Sequence, residues 1–149
     1  MKLAEALQER ADLNRQIEQL RSRLSHNAIV QEGEAPAEDP GDLLAQLDRA
    51  TARLEELMAS INLANSRTVV NDKTLTQIIA RKDCLRLRLE AYRERAETAS
   101  QTARRATRSE IRILSTVDVK TIQAQVDTMA KELRLLDNEL QQTNWTTEL

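Results

Sequence analysis

The stretch LLAQLDRATARLEELMASINLA (43–64) decides the architecture. Leu43, Leu47, Ala50, Leu54, Leu57, Ile61 and Ala64 advance in alternating steps of four and three. That spacing lines them up on one side of an α-helix, as the seam of helices that pack at small crossing angles. The same stepping recurs three times. It runs through Leu3, Ala6, Arg10, Leu13, Ile17, Leu20 and Leu24, and through Leu75, Ile78, Lys82, Leu85, Leu89, Tyr92, Ala96 and Ala99. It returns in Val119, Ile122, Val126, Met129, Leu133, Leu136 and Leu140. The pattern predicts helices near 2–26, 40–64, 75–102 and 116–143.

Punctuation agrees with these limits. Asp39-Pro40 is an N-cap followed by proline at the first helical position, which starts the second helix. TLTQ (74–77) is a capping box for the third. STVD (115–118) resembles a capping box for the fourth, with Asp118 in the favourable field of the helix dipole. RSEIRILS (108–115) alternates polar and apolar residues like a short strand, and RTVV (67–70) is the comparable partner. The expected fold is all-α: four long helices in an antiparallel coiled-coil-like bundle or as paired helical hairpins, with room for one short β pairing.

Composition narrows the class. A chain of 149 residues is expected to form a single helical domain, 1–149. With one Trp, one Tyr and no Phe, its core must be aliphatic. The net charge of −2 provides no global field to recruit nucleic acid or acidic lipid. The single Cys84 excludes an internal disulfide and fits a reducing compartment. MKLAEALQERAD (1–12) is too charged for a signal peptide, and no apolar run exceeds three residues. A cytoplasmic protein is expected.

The loop HNAIVQEGEAPAEDPGD (26–42) carries five carboxylates, both prolines and both glycines, with no Lys or Arg. Helix connections usually take about 2–8 residues, so an acidic loop over 27–39 needs a reason. Glu32, Glu34, Glu38 and Asp39 lack the spacing of a calcium loop, and His26 alone makes no transition-metal site. We expect neither metal nor cofactor. The loop reads instead as an interaction element, with Ile29 and Val30 as an apolar anchor. Its basic counterpart is RRATRSEIR (104–112), through Arg104, Arg105, Arg108 and Arg112, within one subunit or between two. The alternative is a pair of solvated faces that never meet.

Two cations interrupt the seams, Arg10 and Lys82. In an up-down bundle they share a layer, which repels unless Asp83, Glu56 or Asp137 joins them. One reading is a structural ion-pair cluster that fixes register. The other is an anion pocket of Arg10, Lys82 and Asp83, extended by Asn62, Asn65, Arg67 and Thr68. Trp145 is expected to plug the bottom of the bundle. Cys84 falls off the seam, where a surface thiol is usually inert. Enzyme signatures are lacking: no phosphate-cradling glycine loop, no nucleophile elbow, and one histidine in all. The basic stretch has Tyr92 as its one neighbouring aromatic and interleaved glutamates, which argues against nucleic acid. Mixed-charge polar faces argue against a membrane-surface helix.

VQEGEAPAEDP (30–40), TLTQIIARKDCL (74–85), RSEIRILSTVDV (108–119) and NWTTEL (144–149) together resemble the septicolysin-like family of small bacterial proteins. The resemblance covers essentially the whole chain. It implies a bacterial, all-helical, non-secreted protein and supplies no catalytic residue, while the family's name implies a cytolysin. The residues themselves favour a non-enzymatic structural or interaction protein. It would work as a helical homo-oligomer, because Leu44, Met58, Ile79, Leu87 and Leu135 exceed one bundle's needs. A binding module for a small anion or anionic partner near Arg10 and Lys82 is the alternative, and a membrane-active cytolysin a remote one.

Overall fold

The structure, a computed structural model, describes residues 1–101 and 113–149. Four helices dominate it: α1 (Leu3–His26), α2 (Pro40–Arg67), α3 (Leu75–Ser100) and α4 (Val119–Thr146). Between α2 and α3 lie two short strands, β1 (Val69–Val70) and β2 (Lys73–Thr74). The chain is all-α with a minimal β pairing. It divides into two compact units, Met1–Thr68 with Thr143–Leu149, and Val69–Gln142.

In the first unit α1 packs on α2. Leu3, Ala6 and Leu20 from α1 and Leu43, Ala50, Leu57 and Ile61 from α2 are buried. The mid-seam residues Leu13, Ile17, Leu47 and Leu54 are only half-buried. The bidentate pair of Arg53 with Glu9 crosses between the two helices, with Nε–Oε1 at 2.7 Å and Nη2–Oε2 at 3.0 Å. The ends of α2 follow local chemistry. The Asp39 carboxylate accepts from the Gly41 N–H at 2.7 Å and Pro40 opens the first turn. Thr68, in extended conformation, closes the helix by donating its N–H to the Ala64 carbonyl at 2.9 Å.

In the second unit α3 packs on α4. Leu85, Leu89, Val126 and Met129 form a cluster with Tyr92, Ala130, Leu133 and Leu136 against it. The Thr74 capping box forms as its residues dictate: Gln77 N–H donates to Thr74 Oγ1 at 3.2 Å, and Thr74 N–H to Gln77 Oε1 at 2.9 Å. The fourth helix starts three residues later than its sequence signal suggests. Ser115 instead makes a turn with Val117, accepting its N–H at 3.3 Å. Asp118 is then the cap itself, with its carboxylate accepting from the Lys120 N–H at 3.1 Å and from the Thr121 hydroxyl.

The β pairing is not the expected one. Val69 pairs with Thr74 and Val70 with Lys73, antiparallel, so the partner of RTVV is three to five residues away rather than beyond residue 108. Asn71 (φ 49) and Asp72 (φ 63) occupy the left-handed positions of a two-residue hairpin turn. Residues 102–112, and with them Arg104, Arg105, Arg108 and Arg112, lie outside the described residues.

Candidate functional site

The acidic loop is latched to the end of α1. Asn27, nearly buried, stops the helix and returns its side-chain amide to the Arg23 carbonyl at 2.9 Å. Its Oδ1 accepts the Glu38 N–H at 3.0 Å, which draws the far end of the loop onto the helix. Arg23 then grips the Glu38 carboxylate with two donors, Nε at 3.0 Å and Nη2. That hydrogen bonding holds the Glu38 carboxyl below its usual pKa, against a smaller opposing effect of burial, and raises that of Arg23. Asp39 is committed to capping α2. A turn at Gly33 (φ +88), closed by Glu34 N–H on the Gln31 carbonyl at 3.0 Å, presents Glu32 and Glu34 to solvent. Ile29 is 86% exposed beside them.

The chain termini build a second feature of the first unit, with no local signal in the sequence. Leu3 N–H donates to the Thr147 carbonyl at 2.9 Å, and Leu149 N–H to the Met1 carbonyl at 3.0 Å, around an antiparallel bridge of Lys2 and Glu148. Glu148 also holds the Lys2 ammonium at 2.6 Å and the terminal ammonium at 3.2 Å. Those two cations, Lys2 first, lower its pKa. Trp145 does not plug the core, being 51% exposed.

The two seam cations fall in different units. Arg10 lies half-buried on α1, and among the described residues no carboxylate pairs with it; its neighbour Glu9 takes Arg53 instead. Asn62 and Arg67 are exposed and Asn65 half-buried on the same unit's α2. In the second unit Lys82, with its side chain 19% exposed, pairs with Asp137 on α4. Asp83 faces outward, 4.0 Å from Arg86. Around Lys82 runs an open groove of about 360 Å³ lined by Arg86, Arg93 and Arg134 as well as Asp137. On the opposite flank of the α3–α4 pair, Arg81 bridges to Glu132, and Arg88 lies 5.3 Å over the Tyr92 ring. Asn71 ties the β turn to Glu139 at 2.6 Å.

Both units leave large apolar side chains in solvent. Leu44, Met58 and Leu63 project from α2, Leu87 from α3 and Leu135 from α4. Cys84 is exposed one turn before Leu87. Among the described residues, no three His, Cys, Asp or Glu side chains converge as metal ligands, and no helix is long and apolar enough to cross a membrane.

Comparison with known proteins adds kinship without an activity. No curated protein matches the chain. The crystal structure of a functionally unknown conserved protein from Corynebacterium diphtheriae is similar, with 38% sequence identity and a TM-score of 0.93. The match covers 100% of this chain and 98% of that one. The family model DUF6847, described as a family of unknown function, matches residues 10–149. The chain therefore belongs to that family.

Proposed function

We propose that this protein is a non-enzymatic interaction protein that works as a helical homo-oligomer. The observation that carries the reading is the set of exposed apolar side chains on helix faces turned away from each hairpin's own seam, above all Leu87 at 67% exposure. Scattered apolar residues are ordinary on a surface, but apolar residues recurring along one helix favour a partner. The groups suited to chemistry are otherwise placed. The one histidine, His26, sits 2.7 Å from the Ser22 carbonyl at a helix end, and Cys84 stands on an open helix surface. Light scattering over a wide concentration range tests the proposal: a mass above the 16.9 kDa chain is expected. A monomer throughout refutes it.

The groove around Lys82 favours a second reading, a binding module for an anionic partner. Four cations line it with one carboxylate, Asp137, so the local field is positive. Inorganic phosphate or pyrophosphate should then raise the melting temperature, and Arg86→Glu with Arg93→Glu should remove the effect. An unchanged melting temperature eliminates this reading.

A further inference from the structure

Helix α3 differs from the other three in how its apolar residues are distributed. The others concentrate them on one side, whereas α3 carries them on two. One side, built on Leu85 and Leu89, is the seam against α4. On the opposite side Ala80, Cys84, Leu87 and Ala91 step by four, three and four, and all four are exposed. That is a second heptad seam, with Cys84 and Ala91 at the a positions and Ala80 and Leu87 at the d positions. Gln77 precedes it and Glu94 closes it.

The charges beside this seam are sorted by sign. The position following Ala80, Leu87 and the third d residue, Glu94, where the apolar stripe ends, is basic: Arg81, Arg88 and Arg95. The position preceding Cys84, Ala91 and the next a residue, Thr98, is acidic: Asp83, Glu90 and Glu97. One flank of the stripe is therefore positive and the other negative over about four turns. In a parallel pair of identical helices, each g residue meets the e residue five positions on in its partner. Asp83 then meets Arg88 of the second copy, and Glu90 meets Arg95, each pair formed twice by the two-fold symmetry. An antiparallel pair sets g against g and e against e, which brings carboxylate to carboxylate and guanidinium to guanidinium. The sorting thus selects one orientation and one register.

We infer that the outward face of α3 is a self-recognition surface, on which a second copy of this chain docks parallel and in register. The inference rests on the self-association proposed above and names its face and geometry. The flanking side chains are available. Glu90 and Glu97 are exposed and have no ion pair among the described residues. Among the described residues Arg88 makes no ion pair; it meets the Tyr92 hydroxyl at 3.4 Å and its ring and feels the charge of Glu132, while Arg95 meets the Thr116 hydroxyl. Ala80, Cys84 and Ala91 are small, so two helices can approach to the short end of the usual interaxial range, about 8 Å. With one leucine per helix in the stripe, the core is thin, so the pairing is concentration-dependent and the charges set its specificity.

The full-length chain tests this directly, because Cys84 is its one cysteine and meets its own copy in a parallel, in-register pair. A short bismaleimide should give a covalent dimer that Cys84→Ser abolishes. Glu90→Arg alone and Arg95→Glu alone should each lose the dimer, since each sets like charges together. The two together should restore it, because the pair is then re-formed with its signs exchanged. Circular dichroism confirms that the variants, altered at exposed positions, remain folded. Cross-linking that ignores the single reversals, or a double reversal that fails to restore it, overturns the inference. Light scattering separates the two failures. An assembled protein indifferent to these charges refutes this face alone, and a monomer at every concentration refutes self-association with it.

Discussion

Replacing Asn27 by alanine should open the acidic loop. The side chain makes two hydrogen bonds, donating to the Arg23 carbonyl at 2.9 Å and accepting the Glu38 N–H at 3.0 Å. The Arg23 carbonyl keeps a partner, since it also accepts the Asn27 backbone N–H at 3.1 Å. The Glu38 N–H loses its acceptor in a part-buried place. Leaving that part-buried donor unpaired costs about 2 kcal/mol. Each 1.4 kcal/mol is about tenfold in an equilibrium constant, so the loop opens about thirty times more often. Native-state hydrogen exchange at the Glu38 amide reads that number directly. Protection should fall about thirtyfold in Asn27→Ala and stay unchanged in Glu32→Gln, whose side chain is exposed. A Glu38 amide that exchanges equally fast in both chains would refute the latch, and with it the idea that the loop is held in one shape.

Other perturbations have definite signs. Glu9, Glu38 and Glu148 all belong to the first unit, and their carboxyls are held low chiefly by hydrogen bonds from Arg53, Arg23 and Lys2. A lowered folded pKa contributes stability above the unfolded value, about 4.3, and that contribution fades as pH falls through the folded value. Urea midpoints should therefore drop below about pH 4.3, and Arg23→Met with Arg53→Met should flatten that acid limb. Leu89→Ala empties a site 2% exposed in the Leu85–Met129 cluster and should cost about 3 kcal/mol by urea titration. Asp72→Gly relieves a positive φ of 63 in the hairpin turn and should raise the melting temperature slightly, by up to about 1 kcal/mol of stability, whereas Asp72→Val should lower it.

The helices were legible because their signal is local and repeated. A stripe such as Leu43 to Ala64 fixes both the helix and its buried face. Asp39-Pro40 and the Thr74–Gln77 box fix where helices begin, since the bonds involved span three residues or fewer. What the sequence hid depends on residues far apart or on an unusual turn. VNDK makes a hairpin with Asn-Asp where Asn-Gly is the familiar sign, so the sequence points away from Lys73–Thr74 as the partner of β1. The pairing of MKL with TEL joins the two ends of the chain, and no periodicity reports it. Arg10 and Lys82 look alike as interruptions, yet they belong to different units. Which carboxylate meets which cation depends on the neighbouring helix: Asp137 for Lys82, and Arg53, not Arg10, for Glu9.

The same limit explains why the second seam on α3 needed the structure. In the sequence, Ala80, Cys84, Leu87 and Ala91 compete with Ile78, Leu85, Leu89 and Tyr92 for the label of buried face, and the larger residues win. Only the packing of Leu85 and Leu89 against α4 shows that the smaller stripe points away. Once that is fixed, the charges bear on the question in a way the seam against α4 does not require. Arg81 is the one of the three flanking arginines that pairs with a carboxylate of α4, Glu132, among the described residues. A helix needing only that partner has no reason to keep arginine after each outward d position and a carboxylate before each outward a position. Random placement of surface charge serves solubility equally well. Ordered placement gains a use when an identical helix lies alongside in parallel, as proposed above, because each carboxylate of one copy then meets an arginine of the other. The acidic loop fits the same logic at a different place: Glu38 and Asp39 are consumed in holding its shape, which leaves Glu32, Glu34 and Ile29 displayed on a fixed turn. An acidic turn held in one shape and charge ordered along an exposed helix both fit the interaction role proposed above.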